Sequence, residues 1–176
     1  MTWAVLLLAL VSVQRLGELA LAKRNTRRLL ARGAREAAPG HYPLIVVLHA
    51  TWLAGLWWFA WNAPINLYWL AAFVVLQLLR VWVIATLGER WTTRIIVLPG
   101  AACVRNGPFR FLNHPNYTIV IAEIAVLPLV FGLFSYAIAF SLINAAVLYI
   151  RISAENAALR DAQSNYRSMN STSEDS

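Results

Sequence analysis

Apolar stretches of helix length, separated by loops that hold most of the charge, decide what this chain can fold into. Segments 3–22, 43–61, 67–87, 115–131 and 134–150 are almost free of charged side chains. Crossing a hydrocarbon layer takes about 20 such residues, and the backbone there must satisfy its own hydrogen bonds, which selects helices. The polar–apolar alternation of a membrane barrel strand is absent. A chain of 176 residues that is 60% hydrophobic and 13% charged also has too much apolar surface for a soluble domain of its size. The expectation is an all-α, polytopic membrane helix bundle with about five transmembrane helices, a C-terminal helical hairpin and short cytoplasmic helices. Residues 1–165 form its single domain. The last two segments are short, reaching about 25 Å each at ~1.5 Å per residue, with Pro128 and Gly132 near the turn between them. Residues 166–176 are polar, lack periodicity and read as a disordered tail.

Fifteen Lys and Arg against eight acidic residues give a net charge of +7, unevenly spread. Lys23, Arg24, Arg27, Arg28, Arg32 and Arg35 follow the first segment. Arg90, Arg94, Arg105 and Arg110 follow the third, and Arg151, Arg160 and Arg167 follow the fifth. The connections at 62–66 and 132–133 carry none. Basic residues collect on the cytoplasmic side, so the N-terminus is expected outside, the two long loops and the C-terminus inside, in what would be a bacterial inner membrane.

Within residues 23–35 the arginines recur at helical spacing until Pro39-Gly40, which reads as a helix on anionic lipid headgroups. Nucleic acid is the rival partner for such a stripe, but beside a span, topology and lipid binding account for it, and no nucleic-acid partner is expected. Ala20-Leu21-Ala22 resembles a signal-cleavage site, yet no basic residue precedes the apolar run and Gln14, Arg15 and Glu18 interrupt it, so the segment is expected to be retained. Cys103 is the sole cysteine, and His41, His49 and His114 lack metal-ligand spacing, so neither an internal disulfide nor a metal is expected. No internal repeat of a two-halved transporter is visible.

Gly107-Pro108 marks a turn ahead of Asn113-His114-Pro115-Asn116-Tyr117. Proline pushes His114 out of helical geometry and itself suits a first helical turn, so a helix N-terminus opens there and favours a carboxylate or phosphate. An ordinary interfacial turn anchored by Tyr117 and the phenylalanines would look the same. Arg151 and Glu155, four residues apart, share one helix face at the exit of the fifth segment. As an isolated pair they would be a surface ion pair of little weight. The hairpin of short helices, however, returns them to the membrane face that holds His114 and Tyr117. Arg15, Glu18, Gln77, Arg80 and Glu123 fall within about 12 Å of that same face by helical rise. Such a layer either lines a cavity or pairs between helices, Arg80 with Glu123 for example.

The pattern His-Pro-x-Tyr, a helical hairpin, then Arg-x-x-x-Glu resembles the isoprenylcysteine carboxyl methyltransferase family. The resemblance covers roughly residues 89–160, with the segment 90–100 and Glu123, Pro128-Leu129 and Asn144 most similar to a bacterial branch. It implies an S-adenosylmethionine cofactor and methyl transfer to an oxygen, carboxylate or acidic hydroxyl, of a lipophilic or prenylated acceptor. By residue matching it implies cofactor contacts at Val104, Phe109, His114, Pro115, Asn116, Tyr117 and Glu155, and an acceptor contact at Arg151. Arg80, Glu123 and Asn144 are then substrate-lining or structural. The chain departs from the family pattern at Asn113, where arginine is usual, at Asn156, Phe109 and Ala101. Alkylpyrone or phenolic lipids are alternative acceptors. A sterol-type reductase with NADPH and a non-enzymatic scaffold are the alternative classes.

Overall fold

The computed structural model describes residues 2–37, 40, 42–100, 104–112 and 114–153. In chain order these form helix α1 (Trp3–Ala31), strand β1 (Arg35–Glu36), α2 (Tyr42–Ala60), α3 (Leu67–Leu87), β2 (Ile96–Val97), α4 (Pro115–Val130) and α5 (Phe134–Ser153). Short 3-10 turns at Gly88–Arg90 and Gly107–Arg110 flank β2. Four helices, α1, α2, α3 with its following turn, and α5, are long and apolar enough to cross a membrane. Helix α4 has 16 residues and reaches about 24 Å at ~1.5 Å per residue. The all-α polytopic architecture expected from the apolar segments is the one observed.

The buried positions of α1 are Ala4, Leu8, Val11, Ala22, Asn25 and Leu29, and Arg15 and Glu18 complete the same alternating three- and four-residue stripe. That spacing keeps one side of the helix turned inward along its whole length. Its apolar half joins Trp52, Leu56 and Ala60 of α2, Phe73 of α3 and Ile124, Leu127 and Val130 of α4 in one core. Helices α2 and α5 meet where the Tyr136 hydroxyl donates to the Trp52 carbonyl at 2.7 Å. A Cβ on Gly55 would collide with that hydroxyl, so the glycine leaves room for the Tyr136 ring to reach the α2 backbone.

The basic stretch does not form a separate surface helix running to Pro39, as the arginine spacing suggested. Helix α1 continues unbroken to Ala31 and stops at Gly33, whose φ of 85° is open to glycine. The amides of Gly33 and Ala34 turn back to the carbonyls of Leu30 and Leu29, and both Ala34 and Leu29 are buried, which completes a Schellman stop with its hydrophobic contact. Arg35 then belongs to β1, paired antiparallel with β2 as Arg35 opposite Val97 and Glu36 opposite Ile96. The α4–α5 turn uses the same device: Gly132, at φ 73°, and Leu133 donate to the carbonyls of Leu129 and Pro128. The hairpin is thereby sharp, and α5 runs back beside α4 to the end of the bundle where α1 and α3 finish. That end, rich in arginine, is termed the basic end below.

Candidate active site

Proline at the first position of α4 opens the helix at the basic end, with His114 as its N-cap at φ −132°, outside the helical region as a residue before proline must be. The His114 side chain makes no capping hydrogen bond. Its ring instead stacks on Tyr117, centroids 5.5 Å apart and planes 27° from parallel. From α5, Arg151 reaches the same place: Nε donates to the Tyr117 hydroxyl at 3.0 Å, and the guanidinium carbon sits 5.4 Å from the Tyr117 ring centre. Arg151 Nη2 donates to the Thr93 carbonyl at 2.8 Å. The Trp91 indole N–H lies 3.5 Å from Asn116 Oδ1, at the limit of a hydrogen bond. The structure thus brings His114, Asn116, Tyr117 and Arg151 together around the first turn of α4. Val104 and Phe109 are half-buried in the connection between β2 and α4. Glu155, Asn113, Asn156 and Ala101 lie outside the described residues.

Arg151 is 7% exposed, and among the described residues no carboxylate comes within ion-pair distance of it. Its hydrogen-bond partners among the described residues are neutral oxygens, an hydroxyl and a carbonyl. A buried cation is costly unless matched by an anion, so the arrangement favours a negatively charged group beside it.

Deeper along the bundle lies a second polar cluster with a different character. Arg80 clamps Glu18 through Nε and Nη2, both at 2.6 Å, and reaches Glu123 through Nη1 at 2.8 Å. Arg15 bonds Glu18 at 2.8 Å and Glu123 at 2.9 Å. Gln77 donates to Glu123 Oε1 at 2.8 Å, and Gln14 links Glu18 and Gln77 at 3.0 and 2.7 Å. Two arginines and two glutamates cancel, and three helices are tied together by bidentate, charge-assisted bonds. Asn144 is 1% exposed on α5, and its Nδ2 has no partner among the described residues.

A strap between α3 and β2 lies in the segment 90–100, which the sequence marked by resemblance alone, with no role for Trp91, Thr93 or Arg94. Trp91 is buried, and the Thr93 hydroxyl lies 3.3 Å from the Tyr42 hydroxyl. Arg94 bonds both oxygens of Glu36 at 3.0 and 2.8 Å and covers the Tyr42 ring at 4.6 Å. The Glu36 hydrogen bonds raise the Arg94 pKa above its ordinary value, so on the arginine side this contact is complete below that value and is lost only as pH rises past the higher one. Backbone acceptors such as the Thr93 carbonyl leave no trace in a side-chain pattern, which is why the strap escapes motif reading.

Two apolar crevices open on the flanks of α4. One of about 470 Å³ lies between α3, α4 and α5, lined by Trp69, Ala125, Leu129, Ala137 and Ser141 among others. The other, about 190 Å³, lies between α3 and α4 beside Trp82, Phe111, Pro115 and Thr118. Neither is lined by His114, Tyr117 or Arg151.

Comparison with known proteins supplies the family. The model of the isoprenylcysteine carboxyl methyltransferase (ICMT) family matches residues 69–161. A Bacillus subtilis (strain 168) relative, "Uncharacterized protein YpbQ", is 36% identical over 161 residues, which cover 89% of this chain and 96% of that protein. No solved structure gives a significant match. With over half of the chain inside the family match and a relative aligned nearly end to end, this integral-membrane protein belongs to the isoprenylcysteine carboxyl methyltransferase family, and that membership supports a methyltransferase-like function.

Proposed function

We propose that the chain is an S-adenosylmethionine-dependent O-methyltransferase, acting on a lipophilic acceptor at the cytoplasmic face of the membrane. The observation that carries this reading is Arg151, a buried guanidinium without a described carboxylate, bonded to Tyr117 on the first turn of α4. The residues present suit the cofactor. The N-terminus of α4 has no side-chain cap; the Tyr117 and Thr118 amides turn to the His114 carbonyl, and the helix dipole at that end favours the cofactor's carboxylate. Asn116 and the His114 and Tyr117 rings offer a polar amide and aromatic faces beside it, and Glu155, with Val104 and Phe109, completes the proposed cofactor contacts.

When bound, S-adenosylmethionine supplies a methyl group already activated by its sulfonium. Arg151 holds the acceptor as its anion, a carboxylate or an acidic hydroxyl, and so orients the attacking oxygen. An ionised acceptor needs no general base, and alignment provides most of the acceleration. The apolar crevice beside Pro115 and Thr118 gives an alkyl or prenyl chain a place on the lipid side, one helix diameter of about 10 Å from the Tyr117 face. The basic end faces the cytoplasm in this reading, consistent with the loop charges and with a cytosolic cofactor. The exposed arginines of residues 23–35 then rest on anionic headgroups.

The test is transfer of labelled methyl groups from S-adenosylmethionine to a membrane-lipid extract and to an S-prenylated N-acetylcysteine, comparing the purified protein with Arg151→Ala. Saturable binding of S-adenosylmethionine without NADPH binding, and labelling that the variant loses, are the expected results. Failure to label either acceptor preparation, or NADPH binding in place of the sulfonium cofactor, overturns the assignment.

A further inference from the structure

Asn25 is 0% exposed, on the inward stripe of α1 between Ala22 and Leu29. A wholly buried amide is unfavourable unless hydrogen-bonded, and leucine would fill such a stripe at less cost. Its use lies in what it grips: Nδ2 donates to the Gly88 carbonyl at 3.1 Å and to the Trp91 carbonyl at 2.9 Å. The Trp91 amide itself donates to the Gly88 carbonyl at 3.2 Å, so one side chain from α1 staples both ends of the turn that follows α3. Oδ1 has no partner among the described residues. Only the donor end of the asparagine is engaged.

From the stapled Trp91 carbonyl the chain runs two residues to Thr93, whose carbonyl accepts from Arg151 Nη2 at 2.8 Å. Beyond Thr93 the strap is fixed again by the Glu36–Arg94 pair and the β1–β2 ladder. Asn25 is therefore the upstream anchor of a short backbone strap whose midpoint holds one of the two oxygens that orient Arg151. The other, the Tyr117 hydroxyl, comes from α4.

We infer that Asn25 is a positioning residue: its amide sets the Thr93 carbonyl, and through it the aim of the Arg151 guanidinium at the acceptor. What Arg151 does with that aim rests on the methyltransferase reading; the mechanical link between Asn25 and Arg151 does not. The experiment is a double-mutant cycle with Asn25→Leu, Arg151→Met and the pair, assayed with S-prenylated N-acetylcysteine and by thermal unfolding in detergent. Loss of the staple should lower kcat/KM for the acceptor about tenfold, with S-adenosylmethionine affinity changed less than about twofold. In the Arg151→Met background the same substitution should add nothing further. Asn25→Asp keeps the shape and, as a buried neutral acid, offers one donor hydrogen in place of two, so its kcat/KM should fall between wild type and Asn25→Leu; where the carboxyl prevents folding, the leucine variant decides. No change in kcat/KM, or an equal kcat/KM effect in both backgrounds, overturns the inference and leaves Asn25 a stabilising residue only. If the wild type methylates nothing, the enzyme reading fails, while the inference is judged by unfolding: non-additive melting shifts for the pair support it and additive shifts sink it.

Discussion

Arg80 and Arg151 are equally buried, each 7% exposed, in one small bundle, yet their surroundings are opposite. All three guanidinium nitrogens of Arg80 face carboxylates, and with Arg15 the cluster closes to zero net charge. Among the described residues Arg151 has an hydroxyl and a carbonyl, neither of which offsets its charge. Burial alone therefore does not mark a functional arginine; unbalanced charge does. In the neutral cluster the carboxylates are shared between the arginines, and the shared bonds tie three helices together. A cation that meets only dipoles among the described residues is the kind of site at which the proposed acceptor anion would bind.

The sharpest break of this comparison is Glu123→Gln. Glu123 is 2% exposed and shared by Arg15 and Arg80, so the variant leaves two arginines with one carboxylate. Removing one partner from a buried ion cluster costs about 3–5 kcal/mol, and the purified protein should melt far earlier in detergent. Replacing Arg80 and Glu123 together by methionine and leucine leaves the Arg15–Glu18 pair in balance and should recover most of that loss. If Glu123→Gln melts like wild type, the cluster is not the structural lock described above.

Arg151→Met should invert that pattern. The substitution loses two hydrogen bonds but also removes a buried charge that no described carboxylate matches, so stability should change by less than about 1 kcal/mol. Methyl transfer should fall about a hundredfold, as expected for deleting the cationic half of a buried charge pair. Thermal unfolding and kcat/KM on the same preparation separate the two arginines. A large drop in melting temperature would place Arg151 in the same class as Arg80.

The helices were legible because apolar runs of spanning length admit few structures, and the hairpin because Gly132 follows a proline-bearing apolar helix. The gathering of His114, Tyr117 and Arg151 was legible from connectivity, since a short hairpin must return its second helix to the level where the first began. The reach of α1 to Ala31 was obscured by its arginines, which look like a surface segment until Ala22, Asn25 and Leu29 are seen to continue the stripe of Ala4, Leu8 and Val11. That continuation is the signal that would have found Asn25. The β1–β2 pair is only two residues long in each strand, too short for any alternation to register.

Tyr117→Phe makes the smallest of these changes and bears most directly on how Arg151 is held. The ring, its stacking on His114 and its place under the guanidinium remain, and the hydroxyl oxygen that accepts from Nε is lost. One hydrogen bond to a buried charge is worth roughly 1.5 kcal/mol, so kcat/KM for the acceptor should fall about tenfold, well short of the loss in Arg151→Met. A loss as large as that of Arg151→Met would mean that the hydroxyl itself meets the reacting groups. No loss at all would mean that the Thr93 carbonyl holds the guanidinium unaided, which makes the strap, rather than α4, the element that aims it.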